Sequence, residues 1–384
     1  MTDSGRIFVN MQQLSLYAVA AFGLEGLVAA ELKRLGMKNI MAENGGARFT
    51  GSLEDAYLCN LRLRFSDRIY CVMAEDVCLS FEDLFQLVRN VPWEAWTNGT
   101  EAFQLSAQCA RSRLMSPRDC QSIGKKAVLE RLKEKTGRSL FPETGADFPI
   151  HLSLHADCAR VMLNLSGVSL SRRGYRTWNG EAPLRETLAA ALVELSPWKP
   201  GIPLYDPCCG TGTLLIEAAL RQGHIAPGLN RTFAMDHFQP FPAAVKKRIL
   251  EKTRSECIPE RISQIAGSDI DAEPLELAGR HEKQAGLNHR IIWTQMPLQE
   301  VVRPEPAGVF LCNPPYGERL MKDKKACQEL VRDLGRLQAR HPGWSLCAIS
   351  SDPGFEKAYG RHADKKRRLY NGRLECQFFT FLPR

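Results

Sequence analysis

A glycine-rich turn in the middle of the chain combines residue types that could hold a nucleoside-containing ligand. Residues 204–213 read Leu-Tyr-Asp-Pro-Cys-Cys-Gly-Thr-Gly-Thr, and an apolar segment follows from Leu214. This order predicts a strand, a tight turn and a helix, the first unit of a doubly wound α/β sheet. The turn lacks the G-x-G-x-x-G spacing and the Gly-Lys-Ser/Thr of a phosphate loop, so it favours a cofactor smaller than a dinucleotide or a triphosphate.

A second apolar run, at residues 309–312, leads into the sequence Asn-Pro-Pro-Tyr. Because prolines cannot donate hydrogen bonds to a sheet ladder, the predicted strand must end at Asn313, and the paired prolines stiffen the loop that follows. The carboxyl ends of strands are where open α/β sheets bind ligands. The candidate catalytic residues are therefore Asn313, Pro314, Pro315 and Tyr316.

Together, the two segments resemble class I S-adenosylmethionine-dependent methyltransferases of the kind that methylate amino groups. The resemblance implies S-adenosyl-L-methionine as the cofactor and a reaction that needs no metal. The candidate cofactor-binding residues are Asp206, Cys208, Gly210, Thr211, Gly212, Asp269, Asp271, Gln295 and Asn313.

The parts of this cofactor suggest roles for the candidate residues. The glycine turn would hold the carboxylate of the amino-acid tail against the free N–H groups of the following helix, and Asp206 could accept from the ammonium of the tail. Asp269, at the end of the second predicted strand, is placed to accept both ribose hydroxyls. Asp271 is either its helper or the N-cap of the next helix. The third strand ends in Gln295 rather than an acid, so Gln295 or a backbone amide is the candidate for adenine.

The acceptor implied by Asn-Pro-Pro-Tyr is an exocyclic amine on a base, whose lone pair is delocalised into the ring. The side-chain oxygen of Asn313 and the carbonyl of Pro314 can both accept from that amine, which aims the nitrogen lone pair at the methyl group. Tyr316 can stack on the base, which must be unpaired or flipped out. Catalysis is then mainly positioning. The motif does not choose between adenine N6, cytosine N4 and guanine N2.

Composition narrows the class of protein. The 384 residues suffice for two or three domains, and the formal charge of +8 permits a polyanionic partner. The 13 cysteines include no Cys-x-x-Cys pair, so disulfide frameworks and structural zinc sites lose support. The sequence shows no signal-peptide pattern and no run of about 20 apolar residues. We expect a cytoplasmic protein whose cysteines are core residues in a reducing compartment.

The N-terminal half alternates short predicted strands and helices, as α+β modules do. Its second part, which ends in Leu-Ser-Arg-Arg-Gly-Tyr-Arg at 170–176, is similar to THUMP domains, and the part before it resembles the ferredoxin-like segment that accompanies them. The predicted organisation is α/β, with a ferredoxin-like segment at 12–65 and a THUMP RNA-binding domain at 66–170. A Rossmann-like, seven-stranded class I methyltransferase domain is predicted at 180–384.

Basic residues of the THUMP-like region are candidates for phosphate contacts. For the two adjacent helix lysines, a merely solvated helix face is an equal alternative, whereas the tight cluster at 172–176 favours function. His151 and His155 share a strand face, for which a solvated polar face is favoured over a metal site. The candidate RNA-binding residues are Arg111, Arg113, Lys125, Lys126, Arg172, Arg173 and Arg176.

Nearly the whole chain resembles the bacterial ribosomal RNA guanine-N2 methyltransferases, including those that form the amino-terminal half of a fused large-subunit enzyme. The likeness lies in Ala-Pro-Leu-Arg-Glu-Thr-Leu at 182–188, Ala-Pro-Gly-Leu-Asn-Arg at 226–231 and Leu-Tyr-Asn-Gly at 369–372. It implies methylation of a guanine in a hairpin loop of 23S ribosomal RNA, with 23S ribosomal RNA or a large-subunit precursor as the partner. The alternatives are a tRNA guanine-N2 methyltransferase, a DNA amino-methyltransferase and a non-catalytic RNA-binding or ribosome-assembly protein.

Overall fold

The computed structural model describes residues 6–7, 13–176, 184–315 and 324–384. In chain order the strands are β1 (Arg6–Ile7), β2 (Leu14–Ala20), β3 (Lys38–Glu43), β4 (Gly46–Gly51), β5 (Ser66–Val77), β6 (Ala102–Ala110), β7 (Asp147–His155), β8 (Cys158–Asn164), β9 (Leu204–Asp206), β10 (Ile265–Asp269), β11 (Ile292–Gln295), β12 (Gly308–Cys312), β13 (Trp344–Ser350), β14 (Lys365–Asn371) and β15 (Leu374–Phe381). The helices are α1 (Glu25–Arg34), α2 (Leu53–Arg62), α3 (Phe81–Arg89), α4 (Pro117–Thr136), α5 (Glu186–Leu195), α6 (Thr213–Gln222), α7 (Ala243–Ser255), α8 (Ala272–Gln284), α9 (Lys324–Arg340) and α10 (Phe355–Tyr359). Within these ranges no helix is long and apolar enough to cross a bilayer.

These elements form two compact units. The N-terminal unit takes its described residues from 1–20, 28–170 and 232–252, and the C-terminal unit takes its own from 21–27, 171–231 and 253–384. The sequence predicts an irregular insertion after α6, and the later part of that insertion belongs to the N-terminal unit. There the Phe233 ring lies 5.5 Å from that of Tyr57, and Asn60 donates to the sulfur of Met235 at 3.4 Å.

One continuous sheet runs through the N-terminal unit in the order β3-β4-β2-β5-β8-β7-β6, with β1 beside β5. The central strand β5 pairs with β2, where Tyr70 faces Tyr17, and with β8, where Val72 faces Met162. The ferredoxin-like and THUMP-like segments therefore share one sheet. The sequence does not predict β3, because its residues lack an alternation of apolar and polar side chains. In the structure most of these residues are exposed, so neither face of the strand needs to be apolar.

The sheet of the C-terminal unit has seven strands in the order β11-β10-β9-β12-β13-β15-β14. The first five are parallel, and β15 runs antiparallel to both β13 and β14. The chain steps outward from β9 to β11 and then returns to β12 on the other side of β9. This reversal makes the carboxyl ends of β9 and β12 the topological switch point at which such sheets bind ligands. The doubly wound sheet with a closing antiparallel hairpin confirms the predicted fold class.

The strand that leads to Asn-Pro-Pro-Tyr is fixed by its core contacts. All five residues of β12 are buried. The ring of Phe310 stacks on Trp344 with centroids 4.4 Å apart, and it meets Tyr205 edge-on at 6.2 Å. These contacts tie β12 to β13 and β9, so the end of the strand has a defined position.

Three element boundaries differ from the sequence-based expectation. The helix expected from Ser122 begins at Pro117, because the Ser116 side chain accepts from the backbone of Asp119 and proline suits the first helical turn. The helix expected at 184–195 begins at Glu186, and the strand expected at 261–270 begins at Ile265.

The C-terminal hairpin turns one residue later than its Asn-Gly sequence suggests. Asn371 still pairs with Leu374, so the two loop residues are Gly372 and Arg373. Gly372 has φ +66° at the first loop position, where a type II′ turn requires glycine.

Candidate active site

Four adjacent strands of the C-terminal unit end at one edge, and each carries a predicted site residue there. The parallel register pairs Asp269 with Gln295, Gly267 with Asp206, and Tyr205 with Phe310, three residues before Asn313. Gln295, Asp269, Asp206 and Asn313 therefore follow one another across β11, β10, β9 and β12. Three strand spacings amount to about 14 Å, a length suited to an extended nucleoside with a tail.

The two glycines of the turn serve different ends. Gly212 has φ +80°, and a Cβ there would lie 2.5 Å from Cη2 of Trp293, so packing excludes a side chain. Gly210 has φ +50°, and a Cβ there would meet nothing within 4 Å. The turn is tied to β10 because Cys209 N–H donates to the Ser268 carbonyl at 2.9 Å. Gly210 thus leaves open space beside a rigid backbone.

Asp269 is held at the edge by backbone donors. Its Oδ2 accepts from Gly210 N–H at 2.8 Å and its Oδ1 from Asp271 N–H at 3.2 Å. A carboxylate oxygen has two lone pairs, so both oxygens can still accept from hydroxyl groups. Asp271 is exposed and occupies the N-cap position of α8, but its side chain makes no capping hydrogen bond.

Asp206 is a buried carboxyl at the end of β9, 2% exposed. Its Oδ1 accepts from Cys208 N–H at 3.0 Å, but burial raises its pKa well above the usual range, and the charge of Asp269 adds to the rise. Burial also raises the pKa of the Cys208 thiol, which keeps it protonated. A carboxyl buried in this way needs a cation beside it in order to be ionised, and an ammonium group would supply that cation. Within the glycine turn, the carbonyl of Thr211 lies 3.3 Å from Nδ1 of His281.

Asn313 has a buried side-chain oxygen that finds no hydrogen-bond partner in the part of the chain that the structure describes. Leaving such a group unsatisfied costs about 1–3 kcal/mol. The following Pro314 is buried and Pro315 is half-buried. Tyr316 lies outside the described residues. The position of the Asn313 oxygen fits an incoming hydrogen-bond donor.

Sequence reasoning missed Ile270, which follows Asp269. This large apolar side chain is 65% exposed at the site edge, and its carbonyl accepts from Nε2 of Gln295 at 3.1 Å. It offers an apolar surface for a flat ring between the two polar residues. The signal in the sequence was an isoleucine between two acids just past the end of a strand.

The predicted RNA-binding residues of the N-terminal unit lie at the surface. Arg111 and Arg113 are exposed in the loop after β6. On α4, Lys125 is paired with Glu143 at 2.7 Å, whereas Lys126 is 70% exposed and lies 3.8 Å from Glu130, a longer ion pair. The two arginines and Lys126 are therefore more available to a phosphate than Lys125.

The basic cluster at 172–176 divides into one exposed and two buried arginines. Arg172 is exposed. Arg173 is 3% exposed, and its Nε donates to Glu217 at 3.3 Å. Arg176 donates to the Thr213 hydroxyl at the start of α6 and lies 3.6 Å from Glu186. Buried guanidinium groups that are paired in this way do not fit the predicted phosphate contacts, because their charge is already used inside the C-terminal unit.

No group of three His, Cys, Asp or Glu side chains that could hold a metal ion occurs in the described ranges. His151 is instead engaged on the sheet of the N-terminal unit: its Nδ1 lies 2.8 Å from the Ser106 hydroxyl, and its ring stacks on Tyr70. Burial lowers its pKa to about 4, so it is neutral at physiological pH. His155, at the end of the same strand, is exposed.

Comparison with protein-family models matches three parts of the chain. An RlmL ferredoxin-like domain matches residues 15–70, a THUMP domain residues 78–164, and an RMKL-like methyltransferase domain residues 173–379, more than half of the chain. The chain belongs to the RMKL-like methyltransferase family. The resemblance stated from the sequence is thereby confirmed.

Relatives of this RMKL-like methyltransferase cover most of its length. "Putative RNA methyltransferase YpsC" of Bacillus subtilis is 36% identical over 97% of this chain and 96% of its own. "Ribosomal RNA large subunit methyltransferase K/L" of Syntrophotalea carbinolica is 34% identical over 96% of this chain. The present chain spans about half (53%) of that relative.

A solved structure supports the cofactor assignment. The structure of SMU.472, a putative methyltransferase complexed with SAH, superimposes with a TM-score of 0.91 at 38% identity, over 97% of this chain and 99% of that one. SAH is the product left when S-adenosylmethionine gives up its methyl group. This RMKL-like methyltransferase therefore uses S-adenosyl-L-methionine, as predicted. The open space at Gly210, the held carboxylate of Asp269 and the buried Asp206 fit its polar groups.

Proposed function

We propose that this methyltransferase transfers the methyl group of S-adenosyl-L-methionine to the exocyclic N2 amine of a guanine in 23S ribosomal RNA. The observation that carries the proposal is the buried side-chain oxygen of Asn313 at the end of β12, which finds no hydrogen-bond partner among the residues that the structure describes. It needs a hydrogen-bond donor, and an exocyclic amine is one. The THUMP domain and the ribosomal RNA methyltransferase K/L relatives support RNA as the substrate.

In the proposed reaction, the cofactor supplies a methyl group on a sulfonium. Asn313 Oδ1 and the Pro314 carbonyl accept hydrogen bonds from the two N–H groups of the amine. This pulls the nitrogen toward tetrahedral geometry and directs its lone pair to the methyl group. As the new C–N bond forms, the bond between sulfur and the methyl group breaks and SAH is left, and the methylated amine then releases one proton to water. The protein contributes mainly orientation, which is worth several orders of magnitude in rate.

The order of residues along the sheet edge sets the proposed direction of the cofactor. Gln295 and Ile270 take the adenine, Asp269 with Asp271 takes the ribose, and Asp206 takes the ammonium of the tail. The glycine turn, including Thr211 and the backbone of Cys208, holds the carboxylate near the amino terminus of α6. The methyl group then lies toward β12 and Asn313.

The proposed RNA contacts are electrostatic. Arg111, Arg113 and Arg172 are exposed cations, and Lys126 is a fourth. Contacts of this kind position a nucleic acid without reading its sequence. We therefore assign them to placing the RNA, and assign the holding of the exocyclic amine to the Asn-Pro-Pro-Tyr loop.

Nucleoside mass spectrometry tests this function. N2-methylguanosine and the other methylated bases would be measured in separated 23S RNA, tRNA and DNA from cells with and without the protein. Loss from 23S RNA alone is the expected result. Loss of N2-methylguanosine from tRNA would show that tRNA is the substrate, and loss of a methylated base from DNA would show that DNA is. No change in any methylated base would favour a non-catalytic role.

A further inference from the structure

We propose that strand β14 and the turn at 21–24 form a second RNA-contacting surface, which lies on the C-terminal unit and takes a single-stranded segment of the substrate. This inference rests on the proposed function, because it assumes that the substrate is RNA. The residues of this surface, called the β14 surface below, are Phe22, Lys365, Lys366, Arg367, Arg368, Tyr370 and Arg373.

The β14 surface concentrates positive charge. Residues 361–373 contain six lysines and arginines against one acid, Asp364, so this short segment has a net charge of +5 in a chain whose total is +8. The four consecutive cations at 365–368 are all exposed. Because successive side chains of a strand point to opposite faces, the charge is displayed on both sides of β14. A polyanion is the partner that matches such a strip.

Aromatic rings stand beside these cations. The Phe22 side chain is 48% exposed, and the Tyr370 ring meets it edge-on with centroids 5.6 Å apart. The guanidinium carbon of Arg368 lies 5.6 Å from the centroid of the Phe22 ring. Exposed aromatic rings and guanidinium planes next to a basic strip are the groups on which unpaired bases stack.

The arrangement is held in place by the turn at 21–24. Nη2 of Arg367 donates to the Gly23 carbonyl at 2.6 Å. Gly23 has φ +89°, and a Cβ there would come 3.0 Å from the Arg368 carbonyl, so the turn lies directly against β14. Phe22 is therefore fixed beside Arg368, although the two are far apart in the sequence.

Basic residues on β14 have a simpler explanation, since β14 is the last strand of its sheet and lysines on such a strand discourage pairing with another chain. That explanation accounts for the charge but requires no aromatic ring beside Arg368. The two explanations make different predictions for RNA affinity and for self-association.

The test uses the full chain and two fluorescent RNA probes, an unstructured oligonucleotide and a perfect duplex, over a range of salt concentrations. If each of the two cations contacts one phosphate, Lys365→Gln/Arg368→Gln should bind the single strand about 25-fold more weakly at 0.1 M salt. The salt slope, which is the slope of the logarithm of the binding constant against the logarithm of salt concentration, should be smaller by about 1.4. Phe22→Ala should weaken single-strand binding about fivefold, leave the slope unchanged and leave duplex binding unchanged, because only unpaired bases stack on it.

The matched control is Arg332→Gln/Arg336→Gln, which removes two cations from α9 in the same unit, where both are paired with Glu329. It should bind both probes like the unmodified chain. The β14 surface would be overturned if Lys365→Gln/Arg368→Gln bound RNA with the affinity and salt slope of the unmodified chain. If that variant also self-associated on gel filtration, the cations of β14 would serve to protect the sheet edge instead. Absence of RNA binding by the unmodified chain would instead contradict the proposed RNA function.

Discussion

Two clusters of ion pairs, one in each unit of this methyltransferase, differ in how deeply their charges are buried. In the N-terminal unit, Arg160 bridges Glu43 and Glu75 at 2.5 and 2.6 Å, and all three side chains are a fifth to a quarter exposed. In the C-terminal unit, Arg173 and Glu217 pair at 3.3 Å with 2% and 0% of their side chains exposed. Partly exposed ion pairs contribute little, whereas a buried charge that loses its partner costs several kcal/mol. The Arg173–Glu217 pair should therefore matter more to stability than the pairs that Arg160 makes.

The buried charges of the C-terminal unit lie next to the glycine turn. Glu217 is on α6 and accepts from both Arg173 and Tyr175, and Arg176 holds the Thr213 hydroxyl at the first turn of the same helix. The segment that leads into the unit is thus bonded to the helix that follows the turn. Glu31 shows how the N-terminal unit treats a buried acid: backbone amides of Arg64 and Phe65 satisfy it, and burial raises its pKa to about 7.

Breaking the buried pair should have the largest effect. Among the described residues, Arg173→Met leaves the buried charge of Glu217 with only the Tyr175 hydroxyl as a donor. We therefore expect a loss of about 3–5 kcal/mol in the free energy of unfolding, measured by urea denaturation. Replacing both partners, as Arg173→Met/Glu217→Met, should recover much of the loss. Arg172→Met, at the exposed neighbour, is the control and should change stability by no more than about 0.5 kcal/mol. If Arg173→Met left stability unchanged but weakened RNA binding, the predicted contact of Arg173 with an RNA phosphate would be supported instead.

The second effect concerns the unsatisfied oxygen of Asn313. Asn313→Ala should lower the rate of methyl transfer about 10²–10³-fold, as removal of one preorganised hydrogen-bonding group does, because only the Pro314 carbonyl is then left to orient the amine. The equilibrium affinity for SAH, measured by calorimetry, should stay within about twofold. Asn313→Asp is the matched variant: it keeps an acceptor oxygen and should retain more activity than alanine. Equal turnover in Asn313→Ala and the unmodified enzyme would remove this mechanism.

Asp206 combines function with a cost in stability. Asp206→Asn should weaken SAH binding about 10- to 150-fold, because a hydrogen bond to a charged group is worth about 1.5–3 kcal/mol. The pKa of Asp206 is raised on folding, so its contribution to stability is present at low pH and is lost as the pH rises through the folded-state value. The free Asp206→Asn protein should therefore resist urea better than the unmodified protein at neutral pH, and the advantage should vanish in acid.

The pH dependence of SAH affinity gives an independent check on Asp206. The ammonium of the tail favours the ionised carboxylate, so affinity in the unmodified protein should fall as the pH drops through the raised pKa. The Asn variant should lack this step. A pH-independent affinity in the unmodified protein would mean that Asp206 does not face the ammonium.

The sequence predicts the backbone turns of the C-terminal unit better than the burial of its side chains, for a physical reason. A Gly-x-Gly turn after a strand and two prolines after another strand each prescribe a backbone path, so the sequence alone predicts that Asp206 and Asn313 lie at a sheet edge. Ile270 could not, because exposure of a single isoleucine is decided by its neighbours in space. Among the cations, Arg172 and Arg173 are adjacent and chemically identical, yet only one reaches solvent, since burial depends on the position of Glu217.

The smallest effects should come from single cations of the N-terminal unit. Arg111→Gln and Arg113→Gln should each weaken RNA binding about fivefold at 0.1 M salt and lower the salt slope by about 0.7. Lys125→Gln should do less, because Glu143 already holds that ammonium at 2.7 Å and binding a phosphate requires breaking the pair. Fluorescence anisotropy with one RNA at several salt concentrations separates these cases. If Lys125→Gln and Arg111→Gln lowered RNA affinity equally, the Lys125–Glu143 pair would have to open when RNA binds. A surface ion pair would then not make a cation less available to RNA.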